Sequence, residues 1–213
     1  MEVHVLVPAK PPATAKSRLA PILGPGERET FSQRMLKHVL KAIREAGIDF
    51  CWVVGGDPRI EGIARETNCL PLPELGEDLN TTLERAIREV ASDGLVLILP
   101  ADLPLLTAGE VRTLVSAMGP GQGVIASDRR GEGTNAIGFP GEVALSLSFG
   151  PGSFSRHLKI LEESGVSVCR VDLPGLAFDV DTPGDLLLLA TLASCYPHLV
   201  DLLPPRLLEG PSS

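Results

Sequence analysis

An α/β architecture of three layers, with helices on both faces of a mostly parallel sheet, is predicted by three features of this 213-residue sequence. Short β-branched and aliphatic runs alternate with longer stretches whose apolar residues recur at helical spacing. The apolar content, 44%, comes mainly from Leu, Val, Ile and Ala, with one Trp and one Tyr, which suits aliphatic strands packed between helices. The strand-like runs end in loops rich in Gly, Pro and Asp, and open parallel sheets bind ligands at the carboxyl ends of their strands. One core suffices at this length, because roughly 70% of the unfolded chain's surface can be buried. Residues 1–203 are expected to form a single domain, and 204–213, rich in Pro, Gly and Ser, a frayed tail.

The elements follow in order. Val3 to Val7 reads as a buried strand closed by Pro8, and a basic loop with Lys10, Lys16 and Arg18 follows. A Gly- and Pro-rich turn from Pro21 to Gly26 leads to a helix from Glu27 to Ala46, where Met35, Leu36, Val39, Leu40 and Ile43 share a face and Gly47 is the stop. Phe50 to Val54 predicts a second strand, Pro58 to Thr67 a helix, and 71–78 a loop. A helix opened by Asn80 precedes the strand Leu95 to Leu99, which ends in Pro100, Ala101, Asp102, Leu103 and Pro104. After a helix from Ala108 to Met118, a β excursion is expected, with strands at Gly123–Ala126 and Ala136–Phe139 around a loop from Ser127 to Asn135. A helix from Ser153 to Ser164, a strand near Val166–Val171 and a helix from Gly184 to Leu192 complete the pattern.

Composition excludes several function classes. The net charge is −8 and the basic residues cluster only near the N-terminus, so there is no footprint for nucleic acid. Cys51, Cys69, Cys169 and Cys195 stand far apart and predict neither a zinc site nor a disulfide framework, but mostly buried small side chains. No apolar run is long enough to span a bilayer, which leads to an expected cytoplasmic location. The apolar stretch from Leu187 to Leu203 suits cover of its own sheet or a homodimer contact equally.

The chemistry-bearing residues gather at the predicted strand ends. Asp102 follows a buried strand between prolines, and Asp179 and Asp181 alternate across Val180. Three carboxylates there suit Mg2+, a hard ion commonly shared between aspartates and substrate phosphates. Lys10, Lys16 and Arg18 could neutralise a triphosphate and its departing pyrophosphate, although their loop has neither Walker nor GxGxxG spacing. Gly150, Gly152 and Ser153 precede a helix whose N-terminal N–H groups suit a phosphate or carboxylate, and His157 lies one turn further on.

Five segments, VPAKPPATAKSRLAP, LPADLPLL, GEGTNA, FGPGSFSRHL and LAFDVDTPGDL, resemble in order those of the guanylyltransferases that make the guanosine diphosphate-linked intermediate of coenzyme F-420 biosynthesis. They span residues 7 to 186; EDLN stands where the family more often has Gly before Leu-Asn, and SDRRGEGTN has Ser where it often has Pro. The resemblance implies the nucleotide-diphospho-sugar transferase-like fold shared with molybdenum-cofactor guanylyltransferase, GTP as donor and a small phosphorylated carboxylic acid, phosphoenolpyruvate or 2-phospho-L-lactate, as acceptor. It places Thr134, Gly150 and Ser153, with His157, at the acceptor, and Pro8, Ala9, Lys10, Lys16, Asn80, Pro100 and Ala101 at the nucleotide. Lys10, Lys16 and Arg18 would act in catalysis, and Asp102, Asp179 and Asp181 would hold Mg2+. Transfer to 3-phospho-D-glycerate, a sugar phosphate or molybdopterin, or a nucleotide-binding regulatory module without turnover, are the alternatives.

Overall fold

In the structure, a computed structural model describing residues 1–91 and 93–208, the inner strand β1 is Val3–Pro8. Its side chains alternate between faces, as a two-residue period requires: Val5 and Val7 enter one apolar layer and Leu6 the other. Helix α1, Pro25–Glu45, covers the first layer with Leu36, Val39, Leu40 and Ile43. It starts two residues earlier than its apolar pattern suggests, because Pro25 fits the first helical position and the Glu27 carboxylate accepts the Gly24 N–H at 2.9 Å. It ends before Gly47, which takes φ +86.

Strand β2, Phe50–Val54, lies parallel to β1, and α2, Pro58–Glu66, returns the chain over the same face. Leu70–Leu72 is then a short edge strand, β3, where a loop is predicted; Pro71 and the three-residue length hid it from any periodic pattern. Helix α3, Leu79–Val90, is capped by Asp78 and packs on the opposite face, and β4, Leu95–Ile98, is buried throughout beside β1. After α4, Ala108–Ser116, come β5, Gln122–Ser127, and β6, Thr134–Pro140. Helix α5 is Ser153–Glu163 and β7 is Ser167–Arg170. The short α6, Pro174–Ala177, and α7, Pro183–Thr191, follow, and α8 is Leu199–Leu202.

The seven strands are ordered β3-β2-β1-β4-β6-β5-β7, and β6 alone runs against the rest. This reversal positions the site. Thr134 and Asn135, expected in a loop, begin β6 and so lie at the same edge as the carboxyl end of β4.

A third apolar cluster lies beyond the two sheet layers. Leu19 and Leu23 from the N-terminal loop, Leu105 from the segment after Asp102, and Phe178 and Val180 beside Asp179 all meet Phe31 and Met35 of α1 there. Leu189, Leu199, Leu202 and Leu203 close it, each fully buried apolar side chain contributing about 1.5–3 kcal/mol. The stretch from Leu187 to Leu203 therefore mainly covers its own chain, while Leu187, Leu188 and Val200 face outward. Within the expected tail, Arg206 pairs with Glu27 and donates to the Ile22 carbonyl at 2.5 Å; residues 209–213 lie outside the described residues. All four cysteines are free, Cys51 and Cys69 buried as expected, Cys169 and Cys195 exposed because they sit on the edge strand and near a surface turn. Among the described residues no helix is long and apolar enough to cross a membrane.

His38 of α1 stacks on His198, with ring centroids 4.6 Å apart, and their Nε2 atoms face the carbonyls of Leu106 and Pro104 at 3.0 and 2.8 Å. Burial, then the neighbouring His198, lowers the His38 pKa from 6.5 to about 4. On acidification through that window the unfolded chain takes up this proton before the folded one. Stability should therefore fall as pH drops from 6.5 towards about 4, by at most ~1.4 kcal/mol per pH unit for this group. Urea midpoints at about pH 7 and pH 5 check it: a His38→Gln variant should show a smaller difference than the wild type, and an equal difference would rule His38 out.

Candidate active site

The site is built where β1 and β4 end. Lys16 adopts the left-handed conformation, φ 54 and ψ 36, which is costly for a side-chain-bearing residue and turns its ammonium inward. The ammonium lies 2.5 Å from Asp102 Oδ2 and 2.9 Å from Asp181 Oδ1, with only a tenth of the side chain exposed. Burial alone would lower the lysine pKa, but attraction to Asp102 and Asp181 outweighs it and raises the value. Burial likewise pushes Asp181 up, and Lys16 reverses this to leave it lowered. Both effects keep the pair charged.

Asp179 has the opposite balance. Burial, then the nearby charge of Asp102, raises its pKa, although Asn135 Nδ2 donates to it at 3.4 Å and to the Leu176 carbonyl at 2.8 Å. Arg18 is mostly exposed and reaches Asp181 only at 3.9 Å. Lys10 is exposed and, among the described residues, forms no ion pair or hydrogen bond, so the structure does not bring it into the cluster. Pro8 ends β1, and Ala9 donates its N–H to Val54 at 2.9 Å. Its carbonyl lies 2.5 Å from where a Cβ on Gly55 would stand, so only glycine admits this approach. Pro100 and Ala101 line the step from β4 to Asp102.

The residues expected at the acceptor form a second group beside the first. Thr134 and Ser153 are joined through their hydroxyls at 3.1 Å, both buried. Gly150 has φ +126 and Gly152 φ +70, so both glycines serve the turn before α5. Two of the N–H groups expected to face an anion are already used, Ser153 by Gly150 and Phe154 by Glu132. Asn80 does not stand free towards a nucleotide with its carbonyl oxygen, which accepts the Phe149 N–H at 2.7 Å and ties α3 to this turn. His157, expected to touch the acceptor, is 1% exposed and has both ring nitrogens engaged by the protein; the α5 turn that carries it faces inward.

Sequence reasoning missed Arg129, Asn135 and Asp185. Asp185, 2% exposed, accepts the N–H groups of Asp181 and Thr182 at 3.0 and 2.7 Å, and also pairs with Arg129 and Arg130. Arg129 lies over the Phe178 ring at 4.8 Å. One buried carboxylate thus links the loop before Thr134 to the loop holding Asp179 and Asp181. The T-P-G-D spacing of Thr182 to Asp185 is a capping box, and that was the available signal. A cavity of about 380 Å³ adjoins the first of these loops, lined by Asp128, Arg129, Arg130, Phe154 and Arg170 among others.

The aspartates offer oxygen donors of the kind a divalent cation takes. Asp102 and Asp181 meet one buried ammonium, the charge of Asp102 raises Asp179, and the ammonium itself marks the gap between Asp102 and Asp181 as favourable to positive charge. Among the described residues no three His, Cys, Asp or Glu side chains converge closely enough to hold an ion unaided, so oxygens of a phosphate ligand would complete the shell.

Residues 3–193 match the sequence profile of the family described as guanylyl transferase CofC like. The chain belongs to that family. Its CofC-like relatives include the phosphoenolpyruvate guanylyltransferases of Rubrobacter xylanophilus, 40% identical over 87% of this chain and 92% of the relative, and of Sphaerobacter thermophilus, 39% identical over 87% and 91%. Among solved structures, a Desulfovibrio desulfuricans G20 protein assigned to the nucleotide-diphospho-sugar transferases superposes with a TM-score of 0.76 at 18% identity, covering 93% of this chain and 90% of that one. The predicted α/β class and nucleotide-diphospho-sugar transferase-like fold are those observed.

Proposed function

We propose that this CofC-like chain transfers the guanylyl group of GTP to phosphoenolpyruvate, with Mg2+ as its metal ion and pyrophosphate as the second product. The observation that carries this is the meeting of Lys16, Asp102 and Asp181 at one strand edge, in a chain 40% identical to a phosphoenolpyruvate guanylyltransferase. An oxygen of the acceptor's phosphate attacks the α-phosphorus of GTP. The bond from that phosphorus to the bridging β-oxygen breaks, and pyrophosphate leaves with the electron pair. No covalent link to the protein forms, so catalysis rests on positioning and charge.

Pro8, Ala9, Pro100, Ala101 and Asn80 border the nucleotide side, and Thr134, Gly150 and Ser153 the acceptor side. Lys16 supplies a fixed positive charge, and the exposed Lys10 and Arg18 turn onto the phosphates when the nucleotide binds. Mg2+ held by Asp102, Asp179 and Asp181 would supply neutralisation of the phosphate charge. The product is then the guanosine diphosphate-linked intermediate of coenzyme F-420 biosynthesis.

The test offers GTP and Mg2+ with phosphoenolpyruvate, 2-phospho-L-lactate or 3-phospho-D-glycerate separately and follows pyrophosphate release. Phosphoenolpyruvate should give the fastest release, and Asp102→Asn should lower it by about 10²–10³-fold. Release with none of the acids, or undiminished release by the variant, would sink the assignment. Because small apolar differences are discriminated by only about 1–3 kcal/mol, some turnover of the other acids is compatible with it.

A further inference from the structure

A peptide group decides the direction of a hydrogen-bond chain on the acceptor side. The Ser148 N–H points at His157 Nε2 at 2.9 Å, and since a backbone N–H only donates, Nε2 must present its lone pair. The neutral ring then carries its proton on Nδ1, 2.9 Å from Thr134 Oγ1. Thr134 accepts that proton's bond and gives its own hydroxyl hydrogen to Ser153 Oγ at 3.1 Å. Among the described residues nothing accepts the hydrogen of Ser153. His157, Thr134 and Ser153 are 1%, 6% and 2% exposed, so bulk solvent hardly competes along the chain, and the acceptor reaches Ser153 only where the glycine turn before α5 gives way. The Phe149 ring meets His157 edge-on at 4.6 Å and fixes its plane. Burial, then the charge of Arg156, lowers the His157 pKa to about 4, so the ring is neutral near pH 7.

We infer that His157 is a positioning residue which sets the direction of this chain, so that Ser153 meets the anionic group of the acceptor as a hydrogen donor while Thr134 serves as an inner relay. The inference rests on the guanylyl transfer proposed above. A carboxylate or phosphate offers only acceptors, so a serine presented by its lone pair would repel the ligand, whereas one presented by its hydrogen forms a charge-assisted bond. The opposite direction would need a proton on Nε2, pressed against the Ser148 N–H.

Two substitutions separate the two ends of the ring. His157→Asn places an amide N–H where Nδ1 donates and loses the acceptor for Ser148; His157→Gln keeps an acceptor near Nε2 and loses the donor to Thr134. Both remove similar packing, so both should lower the melting temperature by similar amounts. His157→Gln should raise KM for the acid by about tenfold or more, with KM for GTP unchanged, and His157→Asn should stay within about threefold of the wild type. Equal KM values for the two variants, or KM shifts that merely follow stability, overturn the inference while leaving guanylyl transfer intact. A wild type inactive with every acid overturns the underlying assignment and this inference with it. Should neither variant fold, the 15N-correlated spectrum of wild-type His157 near pH 7 decides: the Nδ1–H tautomer is required, and the Nε2–H tautomer overturns the proposal.

Discussion

Replacing Lys16 by Met should lower the rate of pyrophosphate release from GTP and the acceptor acid by about 10²–10³-fold, the loss typical of a preorganised charge at a reacting centre. The effect should fall on kcat, since the ammonium is already fixed between Asp102 and Asp181 and needs no reorganisation when charge shifts to the departing group. Stability should change little by comparison. The two carboxylates are 24% and 42% exposed, so water can solvate them once the lysine has gone, and the cost should be about 1 kcal/mol. A Lys16→Met protein that keeps more than about a tenth of wild-type turnover would show that this cluster is not the reacting centre.

Asp185→Ala carries the largest expected loss of stability. Asp185 is 2% exposed and accepts from two backbone N–H groups and two guanidinium groups. Alanine removes a helix cap and leaves Arg129 without its partner, changes worth about 1 kcal/mol and a few kcal/mol in fully buried settings. Arg129 and Arg130 are 29% and 50% exposed, which discounts the second contribution to about 2 kcal/mol. A total near 3 kcal/mol corresponds to a fall in melting temperature of roughly 6–12 °C for a domain of this size. Differential scanning calorimetry would measure it, and a fall of less than about 2 °C would mean that the two loops are held by something else.

The parts of this fold legible in the sequence are those with a period. The wide apolar face of α1 and the buried runs of β1, β2 and β4 are where spacing predicts them, because burial selects residue type at every second or every third to fourth position. Leu70–Leu72 is too short to show a period. Asp102 was legible as a carboxylate after a buried strand, whereas Asp181, expected at a strand end, lies in the loop between α6 and α7, and the intervention of Lys16 between them depends on a left-handed residue that no local propensity favours. Arg129 and Asp185 are 56 positions apart and become partners only through the tertiary fold. His157 was expected at the acceptor, one turn into α5; that its nitrogens face inward follows from the approach of Ser148, which sequence spacing does not encode.

The reversed strand β6 has a consequence for how the family can vary. Its pairing with β4, from Leu95 opposite Pro140 to Ile98 opposite Ile137, is a ruler that sets Thr134 and Asn135 beside the Asp102 segment. Inserting or deleting one residue within either strand would shift that ruler by about 3.3 Å and turn every following side chain to the opposite face, taking Asn135 away from Asp179. Exposed turns such as 119–121, between α4 and β5, tolerate a change of length better. Descendants of this chain can therefore lengthen or shorten their surface turns freely, while β4 and β6 must keep their residue count even where every side chain in them changes.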